Sequence, residues 1–207
     1  LGRDRLGEKP LYYGWQGQGN SAVFLFGSEI KVLRAHPAFE NNINRGALRL
    51  QLRHNYIPSP YSIYKGISKL LPGSLLTVSR HQPEPRVRAY WSIAEVAKSG
   101  ISNVFSGSEQ LAVNKLETLL KESVSKQMIA DVPLGAFLSG GVDSSTIVAL
   151  MQAQSSRSVK TFSIGFNEKS YNEAVHAKAV AEHLGTDHTE LYVTAEQARA
   201  VIPNLAT

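Results

Sequence analysis

The chain has 207 residues, of which 43% are hydrophobic, so its composition is that of a globular protein rather than of a disordered or collagen-like one. It carries 22 Lys and Arg against 17 Asp and Glu, a net charge of +5 without a run of like charges, and no nucleic-acid partner is expected. The absence of cysteine excludes disulfides, thiolate metal sites and a cysteine nucleophile among these residues. It also fits a cytoplasmic location, and no apolar run is long enough to predict a membrane span.

The first half of the chain predicts short strands and turns with little helix. β-rich runs occupy residues 11–13, 22–26, 74–78 and 86–91, and the last two are predicted to pair around a loop at 81–85. Ser28 and Asn44 are predicted to cap two helices, the second of which ends within residues 55–60. Residues 1–91 are therefore predicted to form a strand-dominated α+β domain.

A polar segment rich in small residues follows, and residues 92–110 are predicted to link two domains. Ser106 and Glu109 have the spacing of a capping box, in which a hydroxyl and a carboxylate pair with free N–H groups at a helix start. The helix after it is predicted to bury side chains at spacings of three and four, namely Val113, Leu116, Leu120, Val124 and Met128.

The predicted second domain covers residues 111–207, and from Asp131 strands alternate with helices. Strands are predicted at 135–138, 160–166 and 188–193, and helices at 143–154, 173–184 and from Thr194 to Pro203. The first of these helices is expected to bury the side chains of Ile147, Val148, Leu150 and Met151. Such alternation predicts an α/β fold with a parallel sheet, which binds ligands at the carboxyl ends of its strands.

The motif with the clearest chemistry is Ser-Gly-Gly-Val-Asp-Ser-Ser at residues 139–145, between a predicted strand and a predicted helix. Gly140 and Gly141 have no Cβ, so their backbone amides can approach an anion closely. The N-terminus of the following helix adds free N–H groups and the positive end of its dipole. Hydroxyl donors come from Ser139, Ser144 and Ser145. The motif therefore predicts a phosphate-binding loop.

Asp143 is the unusual member of this loop, because a carboxylate repels a phosphate unless a cation lies between them. Mg²⁺ is commonly held by one or two carboxylates together with phosphate oxygens, so Asp143 predicts a Mg²⁺-polyphosphate ligand. The alternative is that Asp143 and the serines only cap a helix. The loop lacks the lysine of a Walker A motif and the spacing of a dinucleotide fingerprint.

The loop resembles that of the ATP pyrophosphatases, which split ATP between its α- and β-phosphates. Its flanks resemble glutamine-dependent asparagine synthetase at residues 130–138, 161–166, 171–173 and 183–188. In the first half, the glutaminase domain of that family is similar to residues 2–13, 28–31 and 69–73. The resemblance covers nearly the whole chain in the order of the family.

The resemblance implies the end of an Ntn-type glutaminase sandwich followed by a parallel-sheet domain like the adenine-nucleotide α-hydrolases. In that family ATP converts the side-chain carboxylate of aspartate to β-aspartyl-AMP, and ammonia from glutamine then attacks. ATP and Mg²⁺ are the expected cofactors, with Asp143 as the metal ligand. The nucleotide would be bound by Phe137, Leu138, Ser139, Gly140, Gly141, Val142, Asp143, Ser144, Ser145 and Ile164, of which Phe137, Leu138 and Ile164 would hold the adenosine.

The chain also departs from the family pattern. The N-terminal cysteine nucleophile of the family is absent, and the chain begins at Leu1 rather than at methionine. It stops at Thr207, before the second metal-binding carboxylate and the residues that hold aspartate. We therefore expect an interior piece, in which no catalytic residue is assigned and which does not form asparagine by itself. Glutamine would bind through the missing N-terminal region, and a homodimer is left open.

Three functions stay open at this stage. The first is asparagine synthetase or an amidotransferase with another carboxylate acceptor, such as a sugar acid. The second is ring closure on the acyl-adenylate, as in β-lactam synthetase. The third is a nucleotide-binding or inert scaffold fragment without catalysis.

Two further groups are weighed on the residues alone. His183, Asp187 and His188 could bind a metal, but surface or capping roles are favoured because their spacing is not diagnostic. Arg3 and Asp4 could pair to brace a loop.

Overall fold

The structure is a computed structural model that describes residues 1–167 and 172–206, and it divides into two compact units, Leu1–Val104 and Phe105–Thr207. The division falls inside the segment 92–110, and the assignment of the two halves to two functional domains stays a prediction. Tyr171, part of the sequence resemblance, lies outside the described residues. No helix in the described part of the chain is long and apolar enough to cross a membrane.

A three-stranded antiparallel sheet in the order β2-β1-β3 organises the first unit. Its strands are β1 (Tyr12–Gln16), β2 (Val23–Gly27) and β3 (Ile67–Lys69). Gly14 in the central strand pairs with Leu25 on one side and Ile67 on the other. A Cβ at Gly14 would lie 1.8 Å from the carbonyl oxygen of Gly66, so only glycine fits there. The sequence did not predict β3, because three residues are too few for an alternation signal.

The second sheet of this unit is the hairpin of β4 (Ser74–Ser79) and β5 (Gln82–Ala89). The loop predicted at 81–85 is wrong, since Gln82 already pairs with Ser79 and β5 contains Pro83 and Pro85. Proline has no N–H to donate, and β5 accommodates it because an edge strand leaves one side unpaired. Prolines that indicate a loop in the sequence are here part of a strand.

The helices of the first unit are α1 (Ile30–Arg34), α2 (Arg45–His54) and α3 (Ile93–Ser102), the last within the predicted linker. The predicted cap of α2 is confirmed, because Asn44 accepts a hydrogen bond from the N–H of Ala47 at 3.2 Å. Asn55, in the left-handed conformation with φ 60°, ends that helix. The predicted cap at Ser28 is wrong: α1 begins after Glu29, whose side chain makes no capping bond.

Arg3 and Asp4 do not pair with each other but organise the backbone of the loop that follows them. The Arg3 guanidinium donates to the carbonyls of Gly7 at 2.9 Å, Lys9 at 3.0 Å and Leu70 at 2.6 Å. The Asp4 carboxylate accepts from the N–H groups of Leu6 at 3.1 Å, Glu8 at 2.9 Å and Lys9 at 3.3 Å. The hydrogen bond from the Glu8 N–H is the main cause that lowers the pKa of Asp4 below its ordinary 3.8.

The second unit contains a parallel sheet in the order β6-β7-β8, which confirms the predicted α/β architecture. Its strands are β6 (Gly135–Phe137), β7 (Lys160–Phe166) and β8 (Asp187–Val193). Its helices are α4 (Glu109–Gln127), α5 (Val142–Gln154), α6 (Ala174–Leu184) and α7 (Ala195–Val201), and a 3-10 turn at Ile202–Ala206 follows α7 past the predicted end at Pro203.

The core of this unit lies on one face of the sheet. Side chains of β7 alternate, so Thr161 and Ser163 are buried, whereas Phe162 and Ile164 are exposed on the opposite face. The buried face meets α5 and α6 through a cluster of Leu138, Val148, Ala177 and Ala181. A second cluster joins α4 to α5 through Val124, Leu150, Met151 and Val159, with Leu120 and Met128 packed against it.

Several details of the helices differ from the predictions. Ser108 rather than Ser106 caps α4, with its hydroxyl accepting from the N–H of Leu111 at 3.4 Å. Side chains expected inside are largely exposed at Val113 (52%), Leu116 (57%) and Ile147 (39%). The reason for the first two is that α4 packs on its own unit only through its C-terminal half, around Val124. The predicted capping box that opens α7 is confirmed in Thr194 and Gln197.

Replacement of Asp4 by asparagine is expected to lower stability in a pH-dependent way. A carboxyl whose pKa is lowered by folding contributes stability that is full above its ordinary pKa and is lost as the pH falls through the folded value. The variant should therefore unfold at a lower temperature near neutral pH, and the difference from the unchanged protein should shrink below about pH 3.8. Thermal unfolding followed by circular dichroism across this range measures it.

Asp131→Asn serves as the control, because Asp131 is also an exposed carboxylate but makes no hydrogen bond in the described structure. A difference between Asp4→Asn and the unchanged protein that stays constant across the acidic range would contradict the role given to the Asp4 charge.

Candidate functional site

The loop at residues 139–145 begins where β6 ends, and two bonds to β7 hold that strand end in place. The N–H of Leu138 donates to the carbonyl of Phe162 at 2.9 Å. The buried hydroxyl of Ser163 donates to the carbonyl of Leu138 at 2.5 Å. Both backbone groups of Leu138 are thereby satisfied by the neighbouring strand, so the chain turns at Ser139 from a fixed point.

The two glycines of the loop have different structural roles. Gly140 has φ 79°, and a Cβ on it would lie 2.7 Å from both the backbone nitrogen of Ala177 and the Cβ of His176. Gly141 has φ −72°, and a Cβ there would meet only the Ser139 hydroxyl at 3.4 Å. Position 140 therefore requires glycine, because the backbone is left-handed there and α6 approaches closely. At Gly141 the missing side chain leaves the exposed side of the bend accessible.

Two serine hydroxyls connect the ends of the loop. The oxygens of Ser139 and Ser144 lie 2.9 Å apart, and the Ser144 hydroxyl donates to the carbonyl of Gly141 at 3.2 Å. The N–H of Gly141 in turn donates to the Ser139 hydroxyl at 3.3 Å. These bonds fix the bend through contacts within the loop itself.

The start of α5 leaves three backbone amides without an acceptor in the part of the chain that the structure describes. The first helical bond joins the N–H of Ser145 to the carbonyl of Gly141 at 3.0 Å. The amides that precede it belong to Val142, Asp143 and Ser144. Because they lie at the positive end of a 13-residue helix, they favour an anion at this position.

A cavity of about 310 Å³ lies beside the loop. It is lined by the ends of β6 and β7, by the loop hydroxyls and by the start of α6, namely Phe137, Leu138, Ser139, Ser144, Phe162, Ser163, Ile164, Glu173 and Ala174. Most of its lining surface is apolar, and the loop contributes the hydroxyls of Ser139 and Ser144. Its size is at the lower end of the range of about 300–1,000 Å³ typical of small-molecule sites.

The structure places the predicted site residues in three positions. Phe137, Leu138, Ser139, Ser144 and Ile164 line the cavity. Gly141, Val142 and Asp143 are exposed on the outer side of the bend, and Gly140 lies behind it against α6. The hydroxyl of Ser145 lies elsewhere: it is buried, has no partner among the described residues and borders a groove between α5 and α6.

The sequence analysis missed Phe162, Ser163, Glu173 and Ala174 as lining residues. Phe162 could have been found, because it is two residues before Ile164 on the same strand and therefore on the same face. Glu173 could not have been found, since it reaches the cavity only through the packing of α6. Its carbonyl caps the first turn of that helix by accepting from the N–H groups of His176 and Ala177, both at 3.1 Å.

Asp143 is exposed in the first turn of α5 and forms no ion pair with the described residues. Those residues also contain no group of three or more His, Asp or Glu side chains that could hold a metal ion by themselves. A cation at Asp143 would therefore need ligands from a bound molecule. An unpaired carboxylate beside free amides fits that requirement.

The three residues weighed as alternative metal ligands do not form such a group. His188 forms a hydrogen bond through Nδ1 with the Thr161 hydroxyl at 2.9 Å, and Thr161 also bonds to Thr186 at 2.9 Å. The network joins β7 to β8 inside the core. His183 and Asp187 are exposed.

Comparison with known protein families separates the two halves of the chain. The glutamine amidotransferase domain family matches residues 1–91, and the asparagine synthase family matches residues 115–207. The two matches together leave out only the segment around α3 and the start of α4.

Individual relatives match nearly the whole chain. A Methanocaldococcus jannaschii protein provisionally named asparagine synthetase [glutamine-hydrolyzing] 2 is 38% identical over 92% of the chain and 35% of its own length. Asparagine synthetase [glutamine-hydrolyzing] 1 of Bacillus subtilis is 31% identical over 98% of the chain and 30% of its own length. The human asparagine synthetase [glutamine-hydrolyzing] is 26% identical over 95% of the chain and 33% of its own length.

The chain thus spans about a third of the length of the curated relatives it matches. Within that third it carries both family segments, in the same order as the resemblance found in the sequence, with the loop at residues 139–145 in the second. The chain is therefore similar to glutamine-hydrolysing asparagine synthetases in both segments and in their order.

Proposed function

We propose that the protein containing this chain is a ligase that activates the side-chain carboxylate of aspartate with ATP and amidates it with ammonia from glutamine. AMP and pyrophosphate are the other products. The observation that supports this most directly is the exposed bend at residues 139–145, whose hydroxyls border a cavity at the carboxyl ends of parallel strands. Similarity to glutamine-hydrolysing asparagine synthetases supports the glutamine-dependent formation of a carbon–nitrogen bond.

The proposed chemistry answers a specific difficulty. A carboxylate is a poor electrophile, and ammonia cannot displace an oxide from it. Transfer of AMP to the carboxylate forms an acyl-adenylate, from which AMP leaves far more readily. The loop of this chain would bind the pyrophosphate that departs in the first step.

The amides of Val142, Asp143 and Ser144 are the donors proposed to hold that pyrophosphate. Each hydrogen bond to a charged group contributes about 1.5–3 kcal/mol, so three converging amides can offset the loss of hydration of a polyphosphate. Because these amides have no acceptor among the described residues, no protein bond has to break when they bind an anion.

The adenosine is assigned to the apolar part of the cavity. Phe137, Leu138 and Ile164 form that wall, together with Phe162. Leu138 is buried and held by β7, whereas Phe137 is 79% exposed. The wall therefore combines a fixed strand end with an exposed aromatic ring that a planar base can cover.

Asp143 is the proposed ligand of Mg²⁺, which would neutralise the charge of the bound polyphosphate. The carboxylate is exposed and unpaired, so it can reach a cation without losing a protein contact. Asp143 also repels a phosphate that arrives without a cation, which would make the loop selective for the metal complex of ATP.

Exchange of labelled pyrophosphate into ATP tests the proposed function in the protein that contains these 207 residues. We expect exchange only when ATP, Mg²⁺ and aspartate are all present, because adenylation of the carboxylate is reversible. Exchange driven by a sugar acid instead of aspartate would reassign the acceptor. ATP binding without exchange for any carboxylate would contradict a ligase and leave a nucleotide-binding module.

Asp143→Asn is expected to weaken the binding of Mg·ATP by about tenfold or more, a change of about 1.4 kcal/mol. Binding of metal-free ATP should stay the same or improve, because the substitution removes a repelling charge. Titration calorimetry with and without Mg²⁺ measures both affinities. Asp131→Asn, outside the loop and the cavity, is the control. If Asp143→Asn weakened the binding of Mg·ATP and of metal-free ATP equally, Asp143 would bind no metal.

Gly140 and Gly141 are expected to respond differently to replacement by alanine. Gly140→Ala should destabilise the second unit by at least about 1–2 kcal/mol, because it combines a left-handed backbone with an overlap against α6. Gly141→Ala should spare folding, since its φ is −72° and its Cβ has space, but should weaken ATP binding by narrowing the approach to the bend.

Thermal unfolding and ATP titration of the two variants separate the effects. A Gly141→Ala protein with unchanged melting temperature and unchanged ATP affinity would argue against an anion at the bend. A Gly140→Ala protein as stable as the unchanged one would show that α6 does not constrain the loop.

A further inference from the structure

The first unit contains a cavity of about 720 Å³ that plays no part in the proposed adenylation site. It lies along α2, and its lining includes Arg49, Arg53, Leu50, Leu52 and Tyr61. Asn44, which also borders it, has its side chain engaged as the cap of the helix. The cavity is large enough for a small molecule and combines cationic, apolar and aromatic groups.

The charge of this cavity is not compensated within the described residues. Arg45, Arg49 and Arg53 follow each other at steps of four along α2, which places them on one side of the helix. The helix contains no acidic residue, and none of the ion pairs in the described parts of the chain involves these arginines. Like charges at this spacing repel, so an anion bound between Arg49 and Arg53 would be favoured.

Tyr61 supplies the second element of recognition. This residue is 50% exposed and lines the cavity together with the aliphatic side chains of Leu50 and Leu52. A half-exposed aromatic ring next to apolar side chains favours a flat apolar body. The guanidinium group of arginine binds phosphate through paired N–H donors, a geometry that the ammonium group of lysine does not offer.

We propose that this cavity binds a nucleoside monophosphate, with the phosphate on Arg49 and Arg53 and the base against Tyr61. Only Arg49 and Arg53 of the three arginines line the cavity, and a concave site with two arginines suits a compact ligand better than an extended acidic peptide. The proposal does not depend on the phosphate loop, because every residue that carries it belongs to the first unit.

Photolabelling with 8-azido-AMP tests this assignment in the protein that contains the chain. Peptide mapping should find the label in the segment that includes Tyr61, and Arg49→Gln combined with Arg53→Gln should reduce that labelling about tenfold or more. All these side chains are exposed, so folding should be unaffected, and circular dichroism checks it. Label confined to the second unit would overturn the proposal.

Arg45→Gln is the matched control, because Arg45 has the same charge on the same helix but does not line the cavity. Labelling should be nearly unchanged in this variant. An equal loss in Arg45→Gln and in the Arg49 and Arg53 variant would mean that general positive charge, not a site, attracts the probe. Inorganic phosphate that competes as well as unlabelled AMP would exclude a role for Tyr61 and overturn the nucleotide assignment.

Discussion

The contact between Gly140 and the first turn of α6 is the constraint on which the loop at residues 139–145 depends. A left-handed backbone at Gly140 turns the chain from β6 into α5, and the missing Cβ lets α6 approach to within van der Waals distance of that turn. The same approach brings Glu173 and Ala174 to the cavity. The shape of the site therefore follows from how two helices pack on one face of a parallel sheet, and only one residue type permits that packing.

Sequence patterns predicted the elements of the second unit well, because each carries a local signal. The alternation along β7, the glycine that ends α6 and the capping box that opens α7 are all decided by neighbouring residues. Exposed apolar positions on α4 were mispredicted for the opposite reason. Periodicity shows that a helix has an apolar side, but whether that side is covered depends on which other elements reach it.

The candidate site shows the same limit at the level of single side chains. The sequence identified the loop and its three serines but not the direction in which each hydroxyl lies. Successive residues on a helix are about 100° apart, so Ser144 and Ser145 cannot both lie towards the cavity. Ser144 bonds to Ser139 across the loop, whereas the Ser145 hydroxyl is buried towards the groove between α5 and α6.

This division changes which groups are able to hold a phosphate. Each hydroxyl has a single hydrogen to donate, and the bonds of Ser144 to Gly141 and of Ser139 to Ser144 use both. A phosphate that accepts from them must replace existing bonds, so its net gain there is small. The amides of Val142 and Asp143 have no such bonds to lose. In the proposed site, backbone amides and a cation at Asp143 would therefore hold a phosphate more than the serines would, although the serines are what make the motif recognisable.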